Sequence, residues 1–243
     1  MTIDLGIVWN ILKRNWPFFL SGVKYTCLLA VLGTAAGFVI GLILGGIRAI
    51  RIEPHDKPIV KAIKEFGVLF ARFYIWVFRG TPMMVQAIFI YYLFRPVLHW
   101  NNYTAALVIL SLNTAAYMAE IIRAGIQSID PGQLEASRSI GLTFFQSLIS
   151  IIMPQAIKNS FPSIGNELIV NIKDTSILNV ISVTELYYQS NSIAGSNFRF
   201  VETFLITAAI YLFLTTIAST ILNYIEKRLN IENKKVRIMG FDH

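Results

Sequence analysis

Four ionisable side chains, Glu135, Glu167, Lys173 and Asp174, stand out in a chain with few charges. If the backbone is helical beyond Ser160, then Glu167, Asn171, Asp174 and Thr175 fall at i, i+4, i+7 and i+8, a single polar stripe, with Asn166 and Lys173 on a neighbouring one. An ionisable group at the centre of a bilayer costs about 2.5–3.5 kcal/mol on insertion scales unless it pairs or meets water, so such a stripe points to a transport pathway. A zwitterionic solute needs an anion for its ammonium group and a cation for its carboxylate, and this segment offers both signs. The competing reading is an internal ion pair from Lys173 to Glu167 or Asp174.

A second feature is the interruption at Arg79-Gly80-Thr81-Pro82. Glycine and proline remove helix stability and a backbone donor, and such breaks are tolerated at membrane depth mainly where backbone lines protein or water. Two readings are open. Either Arg79 snorkels to the outer interface, or it marks a gate or the mouth of a substrate cavity; Thr81 joins Glu167, Asn171, Lys173 and Asp174 as a candidate substrate contact.

A third feature is the stretch from Ser128 to Gly141. Asp130 suits an N-cap, Pro131 the first helical position and Gly141 the C-terminal cap, which predicts a helix of about nine residues. A helix that short is marginal alone. Gln133, Leu134, Glu135, Ala136 and Ser137 would then either seat in another protein's groove or pack on their own bundle. Catalytic signatures are missing. The sequence has no Gly-x-x-x-x-Gly-Lys-Ser/Thr phosphate loop, no Gly-x-Ser-x-Gly and no His-Glu-x-x-His. One cysteine, Cys27, allows no internal disulfide, and His55, His99 and His243 have no metal-ligand spacing. Energy from nucleotide hydrolysis would have to arrive through a partner.

The elements that position these residues follow from composition. Of 243 residues, 55% are apolar and 14% charged, with a mean hydropathy of +0.58; soluble domains carry about 25% charge. Apolar runs near the roughly 20 residues that cross a bilayer predict an all-α polytopic membrane protein with five spans at about 25–47, 66–94, 101–122, 142–172 and 203–225. Two are interrupted, 66–94 at Gly80-Thr81-Pro82 and 142–172 by Pro154, Lys158, Pro162 and Glu167. Residues 7–19, with Trp9, Trp16 and two cations, read as an interfacial amphipathic helix. No cleavable signal pattern precedes the first span.

The net charge of +7 becomes a topology signal, because its cations are interleaved with apolar runs rather than gathered as for nucleic acid. With the N-terminus outside, twelve cations fall on the cytoplasmic side (Arg48, Arg51, Lys57, Lys61, Lys64, Arg123, Arg138, Lys227, Arg228, Lys234, Lys235, Arg237). Five fall outside: Lys13, Arg14, Lys24, Arg95 and Arg199. That asymmetry predicts a cytoplasmic C-terminus. Gly33, Gly37, Gly41 and Gly45 line one face of the first span for close helix contact, within the chain or between subunits.

Taken together, from about Ser21 to Tyr224, these segments resemble the permease subunit of bacterial ATP-binding-cassette importers of type I, in the polar amino acid branch. Glu135-Ala136-Ser137, Gly141, Ile151 and Pro154 are similar to that family's EAA loop, with Ser137 in place of the usual alanine and Met153 of the usual leucine. Phe78-Arg79-Gly80-Thr81-Pro82, residues 116–125, Gly165-Asn166-Glu167 and Lys173-Asp174-Thr175-Ser176 are similar to the amino acid branch.

The resemblance implies a transmembrane domain over residues 21–225 between an N-terminal segment, 1–20, and a basic tail, 226–243. It implies a coupling helix at 130–141 docking on an ATPase through Gln133, Leu134, Glu135, Ala136, Ser137 and Gly141, and a substrate segment from Glu167 to Asp174. The implied partners are an ATPase dimer, which would hold ATP and Mg, a second permease subunit, an extracytoplasmic amino-acid-binding protein and membrane lipid. This chain itself would be no enzyme and hold no cofactor, and it would work in the bacterial cell membrane by alternating access. The rival reading is an ion-coupled secondary transporter.

Overall fold

The computed structural model of the chain describes residues 4–50 and 57–229. Arg51, His55, Lys234, Lys235, Arg237 and His243 lie outside them, with most of the expected tail. Nine α-helices occur among the described residues: α1 (Leu5–Ala49), α2 (Pro58–Gly80), α3 (Met83–Leu98), α4 (Asn102–Gln127), α5 (Pro131–Ser139), α6 (Phe144–Ser147), α7 (Met153–Asp174), α8 (Leu186–Asn197) and α9 (Phe200–Arg228). A π-helical turn, Leu148–Ile152, joins α6 to α7, and a 3₁₀ stretch, Thr175–Ile181, follows α7. By length and composition α1, α4 and α9 each suffice to cross a membrane, and α2 with α3 make a fourth if that bent pair is one crossing. The chain is thus an all-α membrane protein in which three or four candidate spans stand out by length and composition, where five were expected. α7 is not among them, because Gln155, Lys158, Asn159, Ser160, Asn166, Glu167 and Asn171 dilute its apolar character.

The centre of the bundle is the contact between α1 and α4. A Cβ added to Gly33 would lie 2.6 Å from Leu110; to Gly37, 2.7 Å from Thr114; to Gly41, 2.4 Å from Met118; and to Gly45, 3.0 Å from the Ala119 carbonyl. The glycine face therefore packs within the chain. Both residue numbers rise together, so α1 and α4 run parallel, and α2 and α3 must return the chain from the end of one to the start of the other. Between α4 and α7 the order reverses: Ser160 Oγ donates to the Ile121 carbonyl and Asn171 meets Thr114. Gly165 sits against Leu222 while Ser190, beyond α7, meets Thr207, so α9 in turn runs antiparallel to α7.

Two expectations change. No break separates residues 7–19 from the first span: α1 is one helix of 45 residues, about 67 Å long at 1.5 Å per residue. Its first part packs in the bundle, where Ile11 and Phe19 form a cluster with Leu186, Ile193 and Ile206. The second expected interruption moves upstream. Pro162 lies inside α7, and the irregularity falls at the π turn, where the Met153 N–H reaches back to the Leu148 carbonyl. Pro154 is the physical reason, since its ring has no N–H and crowds the carbonyl four residues before it; the wider turn relieves both.

Replacing Gly41 with valine is expected to lower the unfolding temperature of the detergent-purified protein, as overpacking by about 1–3 kcal/mol does. Gly80→Ala, with nothing within 4 Å of the added carbon, should cause no loss. Equal melting of the two variants would contradict the glycine seam.

Candidate functional site

At the break, α2 and α3 meet at 113°. Pro82 cannot supply the N–H that the Phe78 carbonyl, four residues earlier, would otherwise receive. Gln86 takes its place from the first turns of α3: its Nε2 lies 2.9 Å from the Phe78 carbonyl, 2.9 Å from the Thr81 carbonyl and 2.8 Å from Thr81 Oγ1. Asn113 of α4 fixes Gln86 by donating to its Oε1 at 2.8 Å. Thr81 itself is exposed, and its hydroxyl also donates to the Val77 carbonyl. Sequence reasoning missed Gln86 and Asn113. The signal available was a glutamine four residues after a proline in an apolar run.

One residue further along α4, Thr114 belongs to a second cluster. Asn171 is 2% exposed, and its Nδ2 donates to Thr34 Oγ1 at 2.7 Å and Thr114 Oγ1 at 3.0 Å. The expected stripe on α7 thus divides. Asn171 locks α7 to α1 and α4, whereas Glu167 and Asp174 are half-buried and Lys173 is exposed. Glu167 and Asp174 lie within electrostatic reach of each other, as do Asp174 and Lys173. None of the three makes a hydrogen bond or ion pair with a described residue, so the competing internal salt bridge does not form.

Arg79 does not extend away from the bundle. It turns back to Glu120 at 4.0 Å and lies over the Tyr117 ring, 5.6 Å from its centre. Glu120 also pairs with Arg48, at the last turn of α1, and with Arg123 through Nε and Nη2, both at 2.9 Å. The pull of a shared carboxylate near the end of α1 overrides snorkelling in the other direction. Three helices converge on this one glutamate. At the far end of the bundle, Glu185 is fully buried and caps α8, accepting from the Tyr187 and Tyr188 N–H groups and from the Tyr211 hydroxyl. Burial pushes its carboxyl up, and those donors oppose the shift.

α5 projects from the end where Glu120 lies. Asp130 accepts from the Gly132 N–H at 2.8 Å, Pro131 opens the helix, and Gly141 adopts φ +88°. Gln133, Glu135, Ala136 and Gly141 are exposed and Leu134 is half-buried. Ser137 faces inward: it is buried, with its hydroxyl 2.7 Å from Ser147 Oγ, so it fastens α5 to α6. Ile140 is 77% exposed, an apolar side chain with no cover on the described surface.

Against known proteins, residues 59–231 match the family described as binding-protein-dependent transport system inner membrane component. The chain is 36% identical to the glutamine transport system permease protein GlnP of Escherichia coli (strain K12), covering 95% of this chain and 100% of the relative. It is 34% identical to the probable glutamine ABC transporter permease protein GlnM of Bacillus subtilis (strain 168), covering 90% and 97%. Among solved structures, an amino acid ABC transporter crystallised with histidines is similar with a TM-score of 0.78 and 37% identity, over 94% of this chain and 100% of the other. The chain belongs to the binding-protein-dependent transport inner membrane family. It is a multi-pass permease subunit, the membrane component rather than the enzyme, which sets aside the ion-coupled rival.

Gln86→Leu leaves the Phe78 and Thr81 carbonyls without a donor and Asn113 without an acceptor. It is expected to destabilise the protein by about 1–2 kcal/mol, the upper part of the range for interhelical hydrogen bonds in membranes. Chemical unfolding in detergent measures this; an unchanged midpoint would remove Gln86 from its place at the break.

Proposed function

We infer that this permease subunit carries a polar amino acid inward by alternating access, across five spans with the N-terminus outside. α1 and α4 run parallel while α7 runs antiparallel to α4 and to α9. This alternation supports α2 with α3 as one return crossing and α7 as another, despite its polar content. The excess of cations at the α5 end supports a cytoplasmic position for that end.

One observation carries the substrate assignment. Glu167 and Asp174 are half-buried, without a partner among the described residues, on the face of α7 that Asn171 holds in place. Unpaired carboxylates at membrane depth need a counter-charge, and an amino acid's ammonium group is one. Lys173, beside them, is the cation for its carboxylate, and Thr81 lies at the break that Asn113, next to Thr114, holds at the same level of α4. A second permease subunit would close this open face. Relatives named for glutamine support a polar amino acid as solute.

The energy enters at α5. Its exposed Gln133, Glu135 and Ala136, with Leu134 and Gly141, are the surface for an ATPase dimer that holds ATP and Mg, and Ser137 passes movement of α5 to α6 and the π turn. An extracytoplasmic binding protein delivers the solute to the other end. ATP binding draws the ATPases together and rocks the spans so that the midplane opens outward; hydrolysis resets it. Such a cycle requires that the docked partner interact differently with the two states.

Glu167→Gln is expected to reduce binding-protein-dependent uptake into proteoliposomes and to alter selectivity among cationic and neutral amino acids. Full uptake with unchanged selectivity would refute the pocket. Separately, Glu135→Trp should leave ATP hydrolysis in place while uptake falls by about 5- to 150-fold, the span of coupling energies of about 1–3 kcal/mol. Unimpaired coupling in that variant would place docking elsewhere.

A further inference from the structure

A cavity of about 460 Å³ opens where α1 and α4 end and α5 begins. Its charged wall is formed by Arg48 of α1, Arg72 of α2 and Arg123 of α4; its apolar wall includes Ile126, Leu134 and Leu148. The charge around it does not balance. Among the described residues, Arg72, Arg79 and Arg123 stand near Arg48, against Glu120 and Asp130. Glu120 is divided among Arg48, Arg79 and Arg123. Asp130 is engaged at the start of α5 by the Gly132 N–H. Arg72 has no carboxylate partner among the described residues.

Among the described residues two positive charges are therefore left over, in a cleft whose other side is hydrocarbon. Clustered guanidinium groups suit a phosphate, which they can bind through paired N–H donors, and basic pockets between membrane helices hold anionic headgroups. α2 itself presents a broad apolar surface next to Arg72: Leu69, Phe70, Phe73 and Trp76 are each more than half exposed. A lipid lying along that surface would place its phosphate at Arg72 and its chains against α2.

We propose that this cavity binds one phosphate group, carried on an anionic phospholipid that enters beside α2, with Arg48, Arg72 and Arg123 as its donors. Because Leu134 and Pro131 of α5 also line the cavity, the headgroup touches the base of the helix proposed to meet the ATPase. This site is separate from Glu167 and Asp174 and does not depend on which solute is carried.

The test uses the purified complex of this chain with its ATPase, delipidated and examined by native mass spectrometry after addition of phosphatidylglycerol, phosphatidylcholine or inorganic phosphate. The expected result is one phosphatidylglycerol retained per permease chain and no retained phosphatidylcholine. Arg72→Gln should cut retention about fivefold, the hold of roughly one basic side chain on an anionic headgroup, and Arg72→Lys should restore most of it. Arg72 is exposed and holds no structural hydrogen bond, so its variants should fold. Equal retention of the two lipids, or undiminished retention in Arg72→Gln, would overturn the proposal. Inorganic phosphate bound where phosphatidylglycerol is not would also overturn it, leaving a site for a soluble anion.

Discussion

Everything in the bundle depends on how closely α1 and α4 approach. In lipid, helices gain nothing from hiding apolar surface, so association rests on packing and hydrogen bonds. Four glycines on α1 remove the side chains that would hold the two axes apart, and Leu110, Thr114, Met118 and Ile122 fill the space. The same approach puts Thr34 and Thr114 within reach of one amide, Asn171, which brings α7 to the seam. Without the glycine face neither the three-helix contact nor the orientation of Glu167 would be defined.

The polar residues at the centre fall into two kinds, and α4 separates them. Asn113 faces the break and Thr114 faces α7, one residue apart and so about 100° around the helix. On both sides the amides are used up in satisfying other groups: Gln86 replaces a donor that Pro82 lacks, and Asn171 is shared by two threonines. Glu167 and Asp174, by contrast, have no partner among the described residues. A hydrogen-bonded frame thus carries two unpaired carboxylates, the arrangement expected where rigidity and ligand affinity must coexist.

Much of this was legible from single residues. The ends of α5 follow from Asp130, Pro131 and Gly141, and the α2–α3 bend from Gly80 and Pro82, because capping and backbone effects are local. The stripe on α7 was legible as a period, yet periodicity cannot say which member of a stripe meets a neighbour, so neither the bonds of Asn171 to Thr34 and Thr114 nor that of Ser137 to Ser147 could be read from it. Partners distant in sequence were invisible: Gln86 with Asn113, Thr34 with Asn171, Arg48 with Glu120. Apolar length alone does not report α7, where polar residues accumulate, and the parallel course of α1 and α4 is a fact of three-dimensional packing.

The π turn ahead of α7 has a geometric consequence. A helix advances about 100° per residue, so a turn that takes in one residue more than the α form shifts the angular phase of everything after it by about that amount. Pro154 therefore acts as a vernier: it sets the azimuth at which Glu167 and Asp174 emerge relative to α5. A single residue added to or lost from Leu148–Ile152 would turn the carboxylates away from their face while leaving every helix intact, so this stretch of chain is sensitive to length before it is sensitive to composition.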